Sequence, residues 1–414
     1  MSIGSSYSSR LFLWVKKYRL SIFAILVVAL ICWLVWVYYV PRVKSLDYYY
    51  DQITAQEHVE DGVEITAQEW QELNACKSIQ GELKNKRTQD CLKKFYVDYT
   101  LRNGVRKSFS HLALLEKKSI NFIEDCHYIS HGIGHAQLRV DNGDAGKAFG
   151  TISENLYFKN VATCGNGFFH GVIEEYAKYE TDKDALVALL KPVCTTQGSK
   201  SEIDCFHGVG HAAFVQLEYA IPESLYVCDR ITDEPMKQYS CYMGVFMEMG
   251  QDFPTRQMVR VENGIMDFTL CNTLGSKYQL ACYAQHSVLF ENFNATPKDY
   301  KKNMRFCKQI KNDKYRMACV KFFAGRAVRA VQYPDLRGVC IDSTSSSDER
   351  IMCAATFANR IARALDSSRA TLLYQQAVHD VCGQLSFYDA PKCIDLVLHR
   401  YEKMYFDAES DRGM

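Results

Sequence analysis

The sequence predicts an all-α protein: a repeat of disulfide-stapled helical hairpins, an α/α solenoid or toroid, behind one N-terminal transmembrane helix. Three observations carry this reading. Seven times a cysteine is followed by another 11 to 15 positions later. From Cys205 onward the second cysteine of successive pairs recurs every 34 to 41 residues, the period of a two-helix repeat. Near the start, Leu20 to Val40 form a run of 21 uncharged and mostly apolar residues.

That run comes first in the chain. At about 1.5 Å rise per residue, such a helix covers the roughly 30 Å hydrocarbon core of a bilayer. Arg10, Lys16, Lys17 and Arg19 precede it with no acidic residue among them. The positive-inside rule then leaves residues 1–19 as a cytoplasmic tail and puts everything beyond residue 40 outside. Trp33, Trp36, Tyr38 and Tyr39 suit the far interface. The run is long for the apolar region of a signal peptide, and no small-x-small cleavage site follows Val40, so an uncleaved signal anchor at 20–40 is expected. Residues 41–65 read as a stalk or capping segment and 66–414 as the repeat ectodomain, which is periplasmic, extracellular or lumenal. Beyond residue 40 there are 45 basic and 48 acidic residues. That near-neutral balance offers no electrostatic basis for binding nucleic acid. The expected partners are the membrane and an unidentified substrate or protein.

The cysteine pairs are Cys76 with Cys91, Cys194 with Cys205, Cys228 with Cys241, Cys271 with Cys282, Cys307 with Cys319, Cys340 with Cys353, and Cys382 with Cys393. So many paired thiols point to an oxidising compartment. The segments before the first cysteines, such as Ser224 to Cys228 and Val378 to Cys382, read as the end of a first helix. Those from the second cysteines, such as Cys205 to His211 and Cys353 to Asn359, read as the opening of a second. Turn formers lie between, for example Thr232-Asp-Glu-Pro235. A short connection makes two helices antiparallel neighbours, with the end of one beside the start of the next. Closing a loop of about 12 residues there stabilises each hairpin by roughly 3 kcal/mol on the chain-entropy argument. Cys126 and Cys164 remain; pairing by elimination gives a bridge between neighbouring repeats. Roughly eight hairpins are expected, enough for either an open solenoid or a closed ring.

Candidate chemistry is confined to three consecutive second helices. They carry His131-Gly-Ile-Gly-His135, His170-Gly-Val-Ile-Glu174 and His207-Gly-Val-Gly-His211. Residues four apart share a helical face, so each motif presents two potential ligands side by side. The expected metal ligands are therefore His131, His135, His170, Glu174, His207 and His211, with Glu175 as a general base. Zinc or iron is the default ion. Met243 and Met247 in the following repeat raise copper as a lesser alternative. Each interior glycine costs about 1 kcal/mol in a helix, so Gly132, Gly134, Gly171, Gly208 and Gly210 need a reason. Either a ligand or another helix approaches the backbone there. His127 beside Cys126 reads as a Cys-His pair that an oxidised cysteine would silence.

The expected function is a membrane-anchored extracytoplasmic protein with a His/Glu metal site, acting as a metal-dependent hydrolase or oxidase. The alternative is a non-catalytic scaffold that binds a peptide, protein or glycan on its concave face. The two differ in whether the purified protein holds a metal.

Overall fold

The computed structural model describes residues 27–30, 62–79, 84–118, 126–153, 166–195, 199–251, 261–262, 265–266, 268–293, 300–327, 337–342, 344–365 and 372–400. The chain divides into two units, Met1–Ser45 and Leu46–Met414. Of the first, only the helical residues 27–30 are described, and Val28 and Leu30 are exposed. The rest of the expected span at 20–40, the tail before it and the stalk up to residue 61 lie outside the described residues. Among the described residues no helix is long and apolar enough to cross a membrane.

Among its described residues the second unit is all-helical apart from one short strand pair. Helix α1 (Ala67–Lys77) opens with a capping box: Thr66 Oγ1 accepts from the Glu69 amide at 3.2 Å, and the Glu69 carboxylate accepts from the Thr66 amide at 2.8 Å. Helix α2 (Lys84–Lys118) is broken at Gly104, whose φ of 80° and ψ of 164° suit a residue without a Cβ. Its first half is stapled to α1 and its second half leads to α3 (Cys126–Val140). Then come α4 (Ala145–Ser153), α5 (Asn166–Tyr176), α6 (Lys183–Thr195), α7 (Ser199–Gln216), α8 (Ile221–Ile231) and α9 (Pro235–Gln251). A two-residue antiparallel pair follows, β1 (Val261–Glu262) and β2 (Ile265–Met266), with Val261 opposite Met266. The residues between them in sequence are Asn263 and Gly264, the dipeptide most suited to a two-residue hairpin. The chain continues through α10 (Thr269–Thr273), α11 (Ser276–Phe293), α12 (Tyr300–Cys307), α13 (Asp313–Ala327), a π-helical turn at Arg337–Ile341, α14 (Ser347–Leu365), α15 (Leu372–Cys382) and α16 (Ala390–Leu398).

Between described residues, seven bridges link these elements, all at expected pairs, with Cα–Cα distances of 5.5 to 5.7 Å. Each joins a first element to the helix after it. Cys126 is also disulfide-bonded; its expected partner Cys164 lies outside the described residues. Seven intramolecular disulfides fit an oxidising, extracytoplasmic environment. With α2 divided at Gly104, the described elements pair off into nine, one more than the sequence period suggests. Two first elements differ from an ordinary helix. Cys271 sits in a helix of five residues, and Cys340 in the π-helical turn. Pro334 and Gly338 precede Cys340 in sequence; one lacks an N–H and the other is a poor helix former, so a longer α-helix ending there is disfavoured.

The second helices pack against one another in chain order: α2 on α3, then α5, α7, α9, α11, α13 and α14, with α16 against α14. Between them and the first helices runs one apolar core that includes Phe168, Phe206, Phe246, Phe323 and Phe357, all 0% exposed. Each such side chain contributes roughly 2 to 3 kcal/mol on burial. The glycines make the row unusually tight at α3, α5, α7 and α9. A Cβ on Gly171 would overlap the carbonyl oxygen of His131, and one on Gly210 would overlap that of Cys241. The close neighbour is a helix backbone, and this close approach lets short imidazoles from different helices meet.

Candidate metal centre

Helix α3 presents His127, His131 and His135 at successive turns of one face. Helix α5 adds His170, Glu174 and Glu175, α7 adds His207 and His211, and α9 adds Met247 and Glu248. Because α3, α5, α7 and α9 are consecutive neighbours in the row, these side chains converge.

His170 is the centre of the group. Its ring centroid lies 5.0 Å from His127, 5.3 Å from His131, 4.8 Å from His207 and 4.7 Å from His211. It is 1% exposed, and neither of its ring nitrogens has a hydrogen-bond partner. Leaving a buried polar atom unpaired costs about 1 to 3 kcal/mol. Burial, with His211, His207, His127 and His131 around it, pushes its pKa well below the usual histidine value. It is therefore a neutral ring with an available lone pair.

The neighbouring rings are oriented from behind. His131 Nδ1 lies 2.8 Å from Glu174 Oε1, His207 Nδ1 lies 3.0 Å from the Ser240 carbonyl, and His211 Nδ1 lies 2.6 Å from Glu248 Oε2. An oxygen that accepts from Nδ1–H fixes the tautomer and leaves Nε2 as a lone pair. Those Nε2 atoms face the cluster. That of His131 is 3.3 Å from His127 Nε2, that of His207 is 3.3 Å from Met247 Sδ, and that of His211 is buried without a partner. Two nitrogens bound tetrahedrally to one zinc at about 2.0 to 2.1 Å lie about 3.4 Å apart. The His127–His131 spacing is already close to that.

Three groups can hold an ion, each with one ligand atom per residue and those atoms within 4.8 Å of one another: His127, His131 and His170; His170, His207 and His211; and Glu174, His211 and Glu248. The metal is unidentified. His131, His170, Glu174, His207 and His211 thus fall within the groups. His135 falls in none of them. Its Nε2 lies 3.0 Å from Glu174 Oε2 and its Nδ1 lies 3.3 Å from Glu175 Oε2.

The carboxylates are held ionised. Burial alone would raise Glu174, but His131 and Lys93, the latter 3.1 Å away, keep it well below the ordinary carboxyl range. Glu175 also resists burial and is held at about 2 by His135 and by Arg139, whose Nε lies 2.9 Å from Oε1. A cavity of about 310 Å³ opens beside this edge of the cluster, lined among others by His131, His135, Glu174, Glu175, Glu248 and Arg139.

The sequence reading does not count His127, Glu248 or Lys93 as members of the site, and takes His127 only as a neighbour of Cys126. His127 was legible: it stands four residues before His131, the same spacing that drew attention to His135. Glu248 joins His211, and Lys93 joins Glu174, only through helix packing, across 37 and 81 residues of sequence respectively. No known protein family matches the chain, and no curated protein or solved structure shows significant similarity to it.

Proposed function

We propose that this protein is a membrane-anchored, extracytoplasmic solenoid of helical hairpins whose α3, α5 and α7 form a histidine metal centre for a hydrolytic or oxidative reaction. The observation that carries the reading is His170: a neutral imidazole, fully enclosed by other imidazoles, with two unpaired nitrogens. The large majority of buried side-chain polar atoms are hydrogen-bonded, so a core histidine with both nitrogens unpaired is unusual as mere packing. A cation supplies what this ring lacks. The oxygen-backed Nδ1 atoms of His131, His207 and His211 support the same reading, because metal-bound histidines are commonly held in this way.

Bound there, a zinc-like ion would act as a Lewis acid toward a substrate in the adjoining cavity. The chain's own groups define the rest. Glu174 holds His131 in place and neutralises charge. Glu175, first expected as a base, accepts protons poorly when held at about 2, so in this proposal it orients His135. His135, at the cavity wall between two carboxylates, is then the proton-transfer group. Zinc or iron suits imidazole with carboxylate behind it, and Met247 beside His207 adds copper as an alternative. The span at 20–40 anchors the chain, and Cys126 pairs with Cys164.

Elemental analysis of the purified full-length protein tests the centre. A tightly held transition metal is expected in the wild type and its loss in His170→Ala, with the disulfide map unchanged. A metal-free wild type that takes up none of zinc, iron or copper would leave the scaffold reading in its place. Protease added to spheroplasts or intact cells should digest the helical unit; its protection would reverse the topology.

A further inference from the structure

The cluster contains more donors than one ion uses. Five imidazoles meet here, those of His127, His131, His207 and His211 around that of His170. A zinc site takes four ligands, and a catalytic one usually takes three from the protein. The five are arranged as two pairs and a single ring. His127 and His131 are four apart on α3, with facing Nε2 atoms 3.3 Å apart. His207 and His211 are four apart on α7, with ring centroids 5.0 Å apart. His170, from the helix between, is the one residue common to both all-histidine groups.

We propose that the centre binds two ions, one at each pair, and that the His170 ring bridges them through its two nitrogens; this rests on the metal-centre reading above. One ion would satisfy one nitrogen of His170 and leave the other buried and unpaired. Two ions satisfy both. The chemistry balances as a proton exchange. A neutral imidazole carries one N–H, so the first ion takes the bare nitrogen's lone pair. The second ion displaces the proton from the other nitrogen, and that proton leaves to solvent. The product is an imidazolate bonded to two cations. Glu174 and Glu248, behind His131 and His211, place two negative charges against the added positive charge.

The probes are zinc and copper(II), and the protein is the full chain. At saturation the wild type should hold two zinc ions, and His127→Ala and His207→Ala one each. Two copper(II) ions joined by an imidazolate couple magnetically, so the wild-type copper signal in electron paramagnetic resonance should fall well below twice that of His127→Ala at low temperature. One zinc in the wild type would overturn the two-ion proposal and leave the metal centre standing. No zinc or copper at all would overturn both. Two coppers with full uncoupled intensity would remove the bridge. The wild-type count decides even if a variant fails to fold.

Discussion

The second helices α3, α5 and α7 differ from α11, α13 and α14 in what the same frame encloses. Helices α3 and α7, like α11, α13 and α14, carry a disulfide-bonded cysteine near their start, and both sets pack on their neighbours in order. At two positions where α7 has His207 and His211, α13 has Lys321 and Gly325, and α14 has Ala355 and Asn359. In the later set several polar side chains have ordinary partners, while the side-chain amide of Gln285 in α11 is buried without one. Tyr374 Oη donates to Asn359 Oδ1 at 2.7 Å, and Arg316 reaches Glu349 at 2.7 Å. Burial, with Arg360 nearby, pushes Lys321 down to about 8. In the earlier set both ring nitrogens of His170, and Nε2 of His211, are buried without a partner. The later helices thus keep the same packing order without the histidines.

The largest effect that sharpens this contrast is metal removal. With free metal about 1,000-fold above its dissociation constant, binding stabilises the folded chain by about 4 kcal/mol. Chelator should remove that, and hydrogen exchange should rise in α3, α5 and α7 while α14 and α15 stay protected. Uniform loosening along the row would mean that the two regions are not separable.

Glycine comes next. Gly171→Ala drives a methyl into the His131 carbonyl and should cost about 1 to 3 kcal/mol by overpacking, together with loss of metal. Gly325→Ala meets only side chains at 3.5 Å and beyond, and should be neutral or stabilising by up to about 1 kcal/mol. Equal thermal shifts for the two would show that helix proximity is no tighter at the histidines.

Asn359→Ala tests the other region. It takes away the Tyr374 partner and should cost about 1 to 3 kcal/mol, the same with or without chelator. His170→Ala should show the reverse: little loss in the metal-free protein, and none of the metal's stabilisation. A large loss for His170→Ala in chelator would mark it as a packing residue.

The smallest effect is acid sensitivity of the metal-free protein. Burial lowers His170 and His131 below the unfolded value of 6.5, so the unfolded chain gains protons that the folded chain refuses. Their contribution is complete above about pH 6.5 and is lost as pH falls toward the folded values, by at most about 1.4 kcal/mol per pH unit and group. The lowered Glu174 adds a further loss below its ordinary 4.5. Denaturant melts of wild type and His170→Ala at pH 7 and 5.5 should diverge; parallel curves would remove this term.

The legible part of this molecule is its local part. A bridge 11 residues long, such as Cys194 to Cys205, is set by the length of one helix–turn–helix step, and so its pairing could be read from spacing. His170 and Glu174 could be read from the turn of one helix. The glycines announced a close approach without saying to what, because the partner is a backbone in the next hairpin. Glu248 reaches His211, and Lys93 reaches Glu174, only after helices have docked side by side, and no sequence period encodes that register. The strand pair at 261–266 had its signal in Asn263-Gly264, but a four-residue ladder is easily lost inside a strong helical period.

The shortness of the bridges also bears on how a metal could reach the right donors. A reduced, unfolded chain offers 17 thiols, and thiolates bind zinc and copper(I) more avidly than scattered histidines do. The histidines cannot compete until α3, α5 and α7 are together, because each supplies only part of the set. Cysteines 11 to 15 residues apart collide early and often, so oxidation can silence fourteen of the rival thiols before the helices dock. Maturation then has a direction: oxidant first, metal second. Refolding the reduced chain in zinc before adding oxidant should give mispaired, zinc-laden species, whereas the opposite order should give the native bridges and a correctly filled centre.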